Sequence, residues 1–280
     1  MFLCGSAPRW DTFKRMPQLT LANLDIHYEV YGNGEPVVLI PGFAAGAWIW
    51  FKHVAPLATK FRIVTFDPRG IGQSSYESQP LTMRLLADDT AALLHGLGIE
   101  QAHILGVSFG GFVAQEFALA YPEATRTLSL CCTSFGGPNH VAPSMETLTA
   151  VLSTNGFNTE DRIRRNLLPA FSPDFARNHP DEIEEVIKLR LANPVVAEAY
   201  RSQLKAGLGF DAEFRVAAIK VPTLVLSGDA DAIVPVQNSR NLAQQIPGAR
   251  LRLIEGGSHL FFIERPDEFN RIVVEFLAQN

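Results

Sequence analysis

Apolar positions along the chain fall into two kinds of pattern that take turns. Short runs rich in β-branched residues recur: VVLI at 37–40, RIVTF at 62–66, HILGV at 103–107, TLSLCC at 127–132, TLVLS at 223–227 and LRLIE at 251–255. Runs that are apolar on both faces belong to strands of a parallel sheet covered on two sides. Elsewhere apolar residues return every three or four positions, which predicts helices over 49–59, 82–97, 110–121, 236–246 and 266–278. Ahead of all these, LTLANLDIHYEVYG (19–32) alternates and breaks at Asn23-Leu24-Asp25, the pattern of an antiparallel strand pair ending at Gly32 and Gly34. Strand and helix in alternation predict an open α/β fold: a mostly parallel central sheet with helices on both faces.

From about 134 to 210 the alternation stops. Prolines and helix-like segments such as PDEIEEVIKLRLA (180–192) occupy the interval, with no convincing strand. We read it as a helical cap inserted over the carboxyl ends of the strands, where such sheets bind ligands. The expected organisation is an N-terminal extension (1–17, ahead of an alternative start at Met16), a core made of 18–133 and 211–280, and the cap at 134–210. A chain of 280 residues is long enough for this one domain with its insertion.

Composition narrows the partners. Lys and Arg total 24 against 29 Asp and Glu, a net charge of −5 with no basic block, which argues against nucleic acid. No apolar run reaches the length of a membrane span, and the apolar beginning, MFL, is only three residues long, too short for a secretory signal. Adjacent Cys131 and Cys132, with Cys4 far away, form neither a disulfide framework nor a metal site. A reduced, cytoplasmic protein acting on a small molecule is expected; the sequence leaves its oligomeric state open.

The chemistry centres on Gly106-Val107-Ser108-Phe109-Gly110, set between an apolar strand and a helix. A serine is a poor nucleophile unless a base takes its proton and donors await the oxyanion. A sharp strand-to-helix turn strains Ser108, lifts its hydroxyl clear of the sheet and aims the Phe109 N–H at the same space. Side chains at 106 and 110 would collide across such a turn, and glycine at Gly111 would let the helix start close to the sheet. The partners should follow as acid and then histidine: LSGDADAIVP offers Asp229 or Asp231 after one strand, and EGGSHLFF offers His259 after the last.

With these features the chain resembles the α/β-hydrolase superfamily from about residue 19 to 280. The resemblance implies Asp231 as the acid, because Gly228 to Pro235 matches the family's Gly-x-x-Asp-x-x-x-Pro turn; Asp229 then forms the turn. It also implies a second oxyanion donor from the loop IPGFAAGAW, assigned to the Phe43 N–H beside that of Phe109. The family usually writes this loop with His-Gly, whereas this chain has Pro41-Gly42, so what supports the loop is left open. FDPRGIGQS (66–74) is similar to the family's Asp-x-Arg-Gly-x-Gly-x-Ser segment, in which Asp67, Arg69 and Ser74 would brace backbone.

Aromatic residues flank these turns: Phe43, Trp48, Trp50, Phe109, Phe135, Phe261 and Phe262. We expect Trp48, Phe135 and Phe261 to bind substrate, and some of Phe157, Phe171, Phe175, Tyr200 and Phe210 to line the entrance under the cap. His103 reads as a core residue, His95 as a helix end, His27 and His53 as remote, and His140 and His179 as solvent-facing. No metal and no cofactor are expected. The resemblance implies a serine hydrolase of a carboxylic ester or lactone with a small, largely apolar substrate. Its competitors are a carbon–carbon bond hydrolase or cofactor-free perhydrolase with the same triad, and a small-molecule receptor on the same fold. Epoxide hydrolases and haloalkane dehalogenases use an aspartate nucleophile, so Ser108 argues against them.

Overall fold

A computed structural model of the chain describes residues 18–21, 24–152 and 158–280. The extension 1–17, with Cys4 and the Met16 start, and Phe157 in the cap lie outside the described residues. Eight strands form one sheet: β1 (Gln18–Leu21), β2 (Leu24–Tyr31), β3 (Pro36–Ile40), β4 (Arg62–Phe66), β5 (Ala102–Val107), β6 (Thr125–Cys131), β7 (Thr223–Gly228) and β8 (Arg250–Ile254). Their order is β1-β2-β4-β3-β5-β6-β7-β8, with β1 and β2 antiparallel to their neighbours and the rest parallel. The strand order reverses around β3, the kind of switch point at whose carboxyl ends open sheets bind ligands.

The helices are α1 (Val54–Leu57), α2 (Met83–Gly96), α3 (Phe109–Ala120), α4 (Met145–Leu152), α5 (Glu160–Leu167), α6 (Pro173–Asn178), α7 (Pro180–Ala192), α8 (Ala197–Leu208), α9 (Gln237–Gln245), α10 (Phe261–Glu264) and α11 (Pro266–Leu277). The continuous helix expected over 49–59 is instead a 3₁₀ turn at Ala47–Trp50 followed by the single turn α1. Pro56 explains the break: it has no N–H for the Lys52 carbonyl and clashes with it, but is tolerated in the first turn of a new helix.

Side chains of alternate strand residues enter different cores, as a two-residue period requires. Val37 and Leu39 pack on one face with Trp50, Phe261 and Phe269, while Val38 and Ile40 pack on the other with Val113 and Phe117 of α3. β5 and β7 are buried throughout, whereas β8 alternates exposed and half-buried because it is the sheet's edge.

Helices α4 to α8 lie between β6 and β7, and no sheet strand lies among the described residues of 134–210. The chain leaves and re-enters this excursion at one place. Gly137 N–H donates to the Phe210 carbonyl at 3.1 Å and Ala212 N–H to the Phe135 carbonyl at 2.8 Å, an antiparallel bridge of Gly136 with Asp211. A second bridge, Ile71 with Val195, ties the α7–α8 connection to the loop after β4.

Candidate active site

Ser108 stands between β5 and α3 with φ 53° and ψ −120°, a conformation that side-chain-bearing residues rarely adopt. Its N–H donates to the Cys131 carbonyl at 2.8 Å, and its own carbonyl accepts from Gly111 N–H and Thr133 Oγ1, each at 2.8 Å. These bonds hold the strained turn. A Cβ on Gly106 would lie under 3.0 Å from the Gly110 carbonyl oxygen, which is the expected collision. The glycine at 110 serves a different neighbour from the one expected: its Cβ would meet the Ile40 and Pro41 carbonyl oxygens at the end of β3. At Gly111 a Cβ would strike the Thr133 side chain.

The structure brings three distant side chains into one row. His259 Nε2 lies 3.0 Å from Ser108 Oγ, and His259 Nδ1 lies 2.8 Å from Asp231 Oδ2. A proton on Nδ1 donated to the carboxylate leaves Nε2 as the acceptor for the serine hydroxyl. The other carboxylate oxygen, Asp231 Oδ1, accepts from the N–H groups of Ile233 and Val234, each at 2.8 Å, so the acid is fixed in orientation. Asp231 and His259 are both buried. Asp229 points elsewhere, accepting from Gly256 N–H at 2.7 Å.

The loop after β3 runs beside the serine, since a Cβ on Gly42 would sit 3.6 Å from Ser108 Cβ. Phe43 follows Gly42 there. Phe109 is the first residue of α3, so its N–H has no acceptor within the helix. Asp67 braces the loop from below: its Oδ1 accepts from Ala47 N–H at 2.9 Å, and its Oδ2 accepts from Gln73 N–H at 3.0 Å and lies 3.0 Å from His27 Nδ1. Ser74 Oγ donates to the Asp67 carbonyl, and Arg69 holds Asp89 through two hydrogen bonds. His27, remote in sequence, therefore belongs to this brace. Burial pushes the thiols of Cys131 and Cys132 upward, with the nearby Asp231 carboxylate adding to the effect at Cys132, so both stay protonated packing groups.

Ser108 and His259 open onto a cavity of about 360 Å³, within the range of small-molecule sites. Trp48 lines it as expected, with Phe43, Phe109, Phe112, Tyr200 and Phe262. Phe135 and Phe261 do not reach it. Phe135 is buried in the core beneath α3, where the chain crosses to its bridge with Ala212. Phe261 is buried against Phe262 and Phe269, because neighbouring helix positions point about 100° apart and Phe262 takes the cavity side. Phe171, Phe175 and Phe210 are likewise buried away from the lining. His140 is exposed but lines the cavity mouth rather than facing only solvent. A separate groove of about 690 Å³ between residues 78–84 and α8 contains no triad residue.

Arg190 and Gln203 are among the lining residues that the sequence did not single out. On α7 the buried positions Ile183, Val186, Ile187 and Arg190 form one stripe, and on α8 the cavity positions Tyr200, Gln203, Leu204 and Gly207 form another. Each stripe carries one polar residue where helical period calls for an apolar one, and that interruption was the available signal. Arg190 donates to the Asn193 carbonyl at 3.0 Å and Asn158 Oδ1 at 3.2 Å, both neutral oxygens. Burial lowers its pKa, but a guanidinium remains charged.

Comparison with known proteins agrees with this geometry. The chain is 30% identical over 264 residues to the protein named carbamate hydrolase RutD in Azorhizobium caulinodans, covering 94% of this chain and 99% of that one. It is 32% identical to the poly(3-hydroxyalkanoate) depolymerase of Ectopseudomonas oleovorans, covering 87% of this chain and 84% of the relative. The enol-lactonase structure from Burkholderia xenovorans LB400 superposes with a TM-score of 0.83 at 28% identity, covering 94% of this chain and all of that one. A family model described as alpha/beta hydrolase fold matches residues 35–266. With a family model that matches most of its length and relatives that are hydrolases, this chain belongs to the α/β-hydrolase family.

Proposed function

We propose that the protein is a serine hydrolase cleaving a carboxylic ester or lactone through an acyl-enzyme. The hydrogen-bonded row Ser108–His259–Asp231 carries this reading. Ser108 Oγ attacks the carbonyl carbon as His259 Nε2 takes its proton, and Asp231 steadies the resulting imidazolium. The N–H groups of Phe43 and Phe109 donate to the oxyanion. The tetrahedral intermediate collapses, and His259 returns the proton to the departing alcohol; in a lactone that alcohol stays tethered to the acyl group. Water then attacks the acyl-enzyme with His259 again as base, releasing the acid and free Ser108. We treat 134–210 as the cap that closes this site, because its residues Ile163, Asn166, Leu167, Arg190 and Tyr200 line the cavity. The relatives named as a depolymerase and an enol-lactonase support the ester and lactone reading.

Arg190 narrows the substrate class. A buried cation whose hydrogen bonds go to neutral oxygens favours an acyl or alcohol part that bears a carboxylate. Asn166 Oδ1, buried in the same lining with no hydrogen-bond partner among the described residues, supports a polar end as well. One assay tests both levels: p-nitrophenyl butyrate and the monoester of p-nitrophenol with succinic acid, given to wild type and Ser108→Ala. Release of p-nitrophenol that survives in Ser108→Ala overturns the serine mechanism. Equal kcat/KM for the two esters overturns only the carboxylate preference.

A further inference from the structure

The loop that would hold the oxyanion is a tight turn with a strained member. Ala45 N–H donates to the Gly42 carbonyl at 3.2 Å, closing a four-residue turn, and Ala44 in its third position has φ 54°. A turn with positive φ at that position alone is of type II, where glycine or asparagine is the usual occupant. Alanine there is strained, and turning the central Phe43–Ala44 peptide over would relieve the strain. Something must hold that peptide.

The holder comes from the inserted helices. Gln203, 159 positions further along the chain, accepts the Ala44 N–H on its Oε1 at 3.0 Å. Gln203 is 1% exposed, so water does not compete for this bond. One turn earlier on α8, the Tyr200 ring packs edge-on against Phe43 with centroids 4.8 Å apart. On the opposite side, Asp67 fixes Ala47. The loop is thus gripped from the sheet and from α8 at once.

We propose that Gln203 is a positioning residue for the oxyanion loop. By accepting the Ala44 N–H it anchors the turn beside Ser108; the Phe43 N–H belongs to the adjoining Gly42–Phe43 peptide, and without the anchor the whole turn, that peptide included, can shift away from Ser108. This supplies from a helix of the insertion the support that a histidine next to Gly42 would otherwise give. The inference rests on the ester or lactone reading, because the Phe43 N–H has this task only if an oxyanion forms. It also couples turnover to the seating of α8, since a shift of that helix releases the turn.

The test compares Gln203→Met, which keeps length and volume but has no acceptor oxygen, with Gln203→Glu, which keeps one. On p-nitrophenyl butyrate, Gln203→Met should lower kcat about ten- to a hundredfold, the cost of misplacing one oxyanion donor, with KM changed less than about threefold. Gln203→Glu should recover most of that loss. Amide hydrogen exchange supplies a readout in the unaltered protein: the Ala44 N–H should exchange slowly. Wild-type kcat in Gln203→Met, equal losses in the two variants, or rapid exchange at Ala44 in wild type would each overturn the proposal. Failure of the underlying reading is separate: it appears as turnover that persists in Ser108→Ala.

Discussion

Replacing Asp231 by Asn separates the two acidic candidates and tests the logic of the row. The structure dictates how the amide would sit. Asp231 Oδ1 accepts from two backbone N–H groups, Ile233 and Val234, and only a carbonyl oxygen can take that place. The Asn NH₂ is then turned toward His259 Nδ1, now 2.8 Å from a carboxylate oxygen. Two donors cannot face each other, so Nδ1 becomes the acceptor and the proton moves to Nε2. That nitrogen then donates toward Ser108 instead of accepting from it. A wrong tautomer of this kind lowers kcat about 10⁴-fold, or about 5 kcal/mol of transition-state stabilisation. Asp229→Asn keeps a carbonyl for Gly256 N–H, and its rate should stay within about threefold of wild type. Steady-state hydrolysis of p-nitrophenyl butyrate, with melting temperatures to establish folding, gives the comparison. A rate for folded Asp231→Asn within tenfold of wild type, or a larger loss in Asp229→Asn, would refute the reasoning.

Two further outcomes follow from packing and burial. Gly110→Ala would press a methyl group into the Ile40 and Pro41 carbonyls, so urea unfolding should register a loss of about 1–3 kcal/mol together with impaired turnover, as the displaced β3 end carries the loop we propose to hold the oxyanion. His53 is fully buried, bonded to Asn270 at 2.8 Å, and burial lowers its pKa from 6.5 to about 4. Above pH 6.5 neither state binds the proton; between 6.5 and 4 the unfolded chain binds it and the folded protein does not, so stability falls on acidification by about 1.4 kcal/mol per pH unit. Urea midpoints at pH 7 and pH 5 should show this loss in wild type and a smaller one in His53→Gln; equal slopes would contradict it.

The parts legible in sequence were those where local backbone demands leave a mark. Ser108 was readable because Gly106 answers a collision that a sharp turn creates; strand ends pointed to His259 and to Asp229 or Asp231, and the choice of Asp231 came from the resemblance to the α/β-hydrolase turn. Directions of side chains were not readable at that level. Phe261 and Phe262 are indistinguishable by composition, and only the phase of α10, set by packing against α11, decides that Phe262 faces the cavity. Gln203 was detectable as a polar residue in an apolar stripe, but its partner Ala44 lies 159 residues away, a distance that only tertiary packing bridges. Pro56 carried its own warning: the expected helix breaks just before it, between Trp50 and Val54, and Pro56 sits in the first turn of the new helix α1.

The bridge of Gly136 with Asp211 gives the molecule a modular seam. A chain that departs and returns between the same pair of backbone groups imposes no change of spacing on the strands it interrupts. Closure entropy grows only with the logarithm of loop length, so lengthening or shortening the excursion costs the sheet little once its two stems are zipped together. The block can therefore be remodelled while β6 and β7 stay in register, so long as it keeps Gln203 on Ala44 and Ala170 on Ser258 and Leu260, the two residues that flank His259.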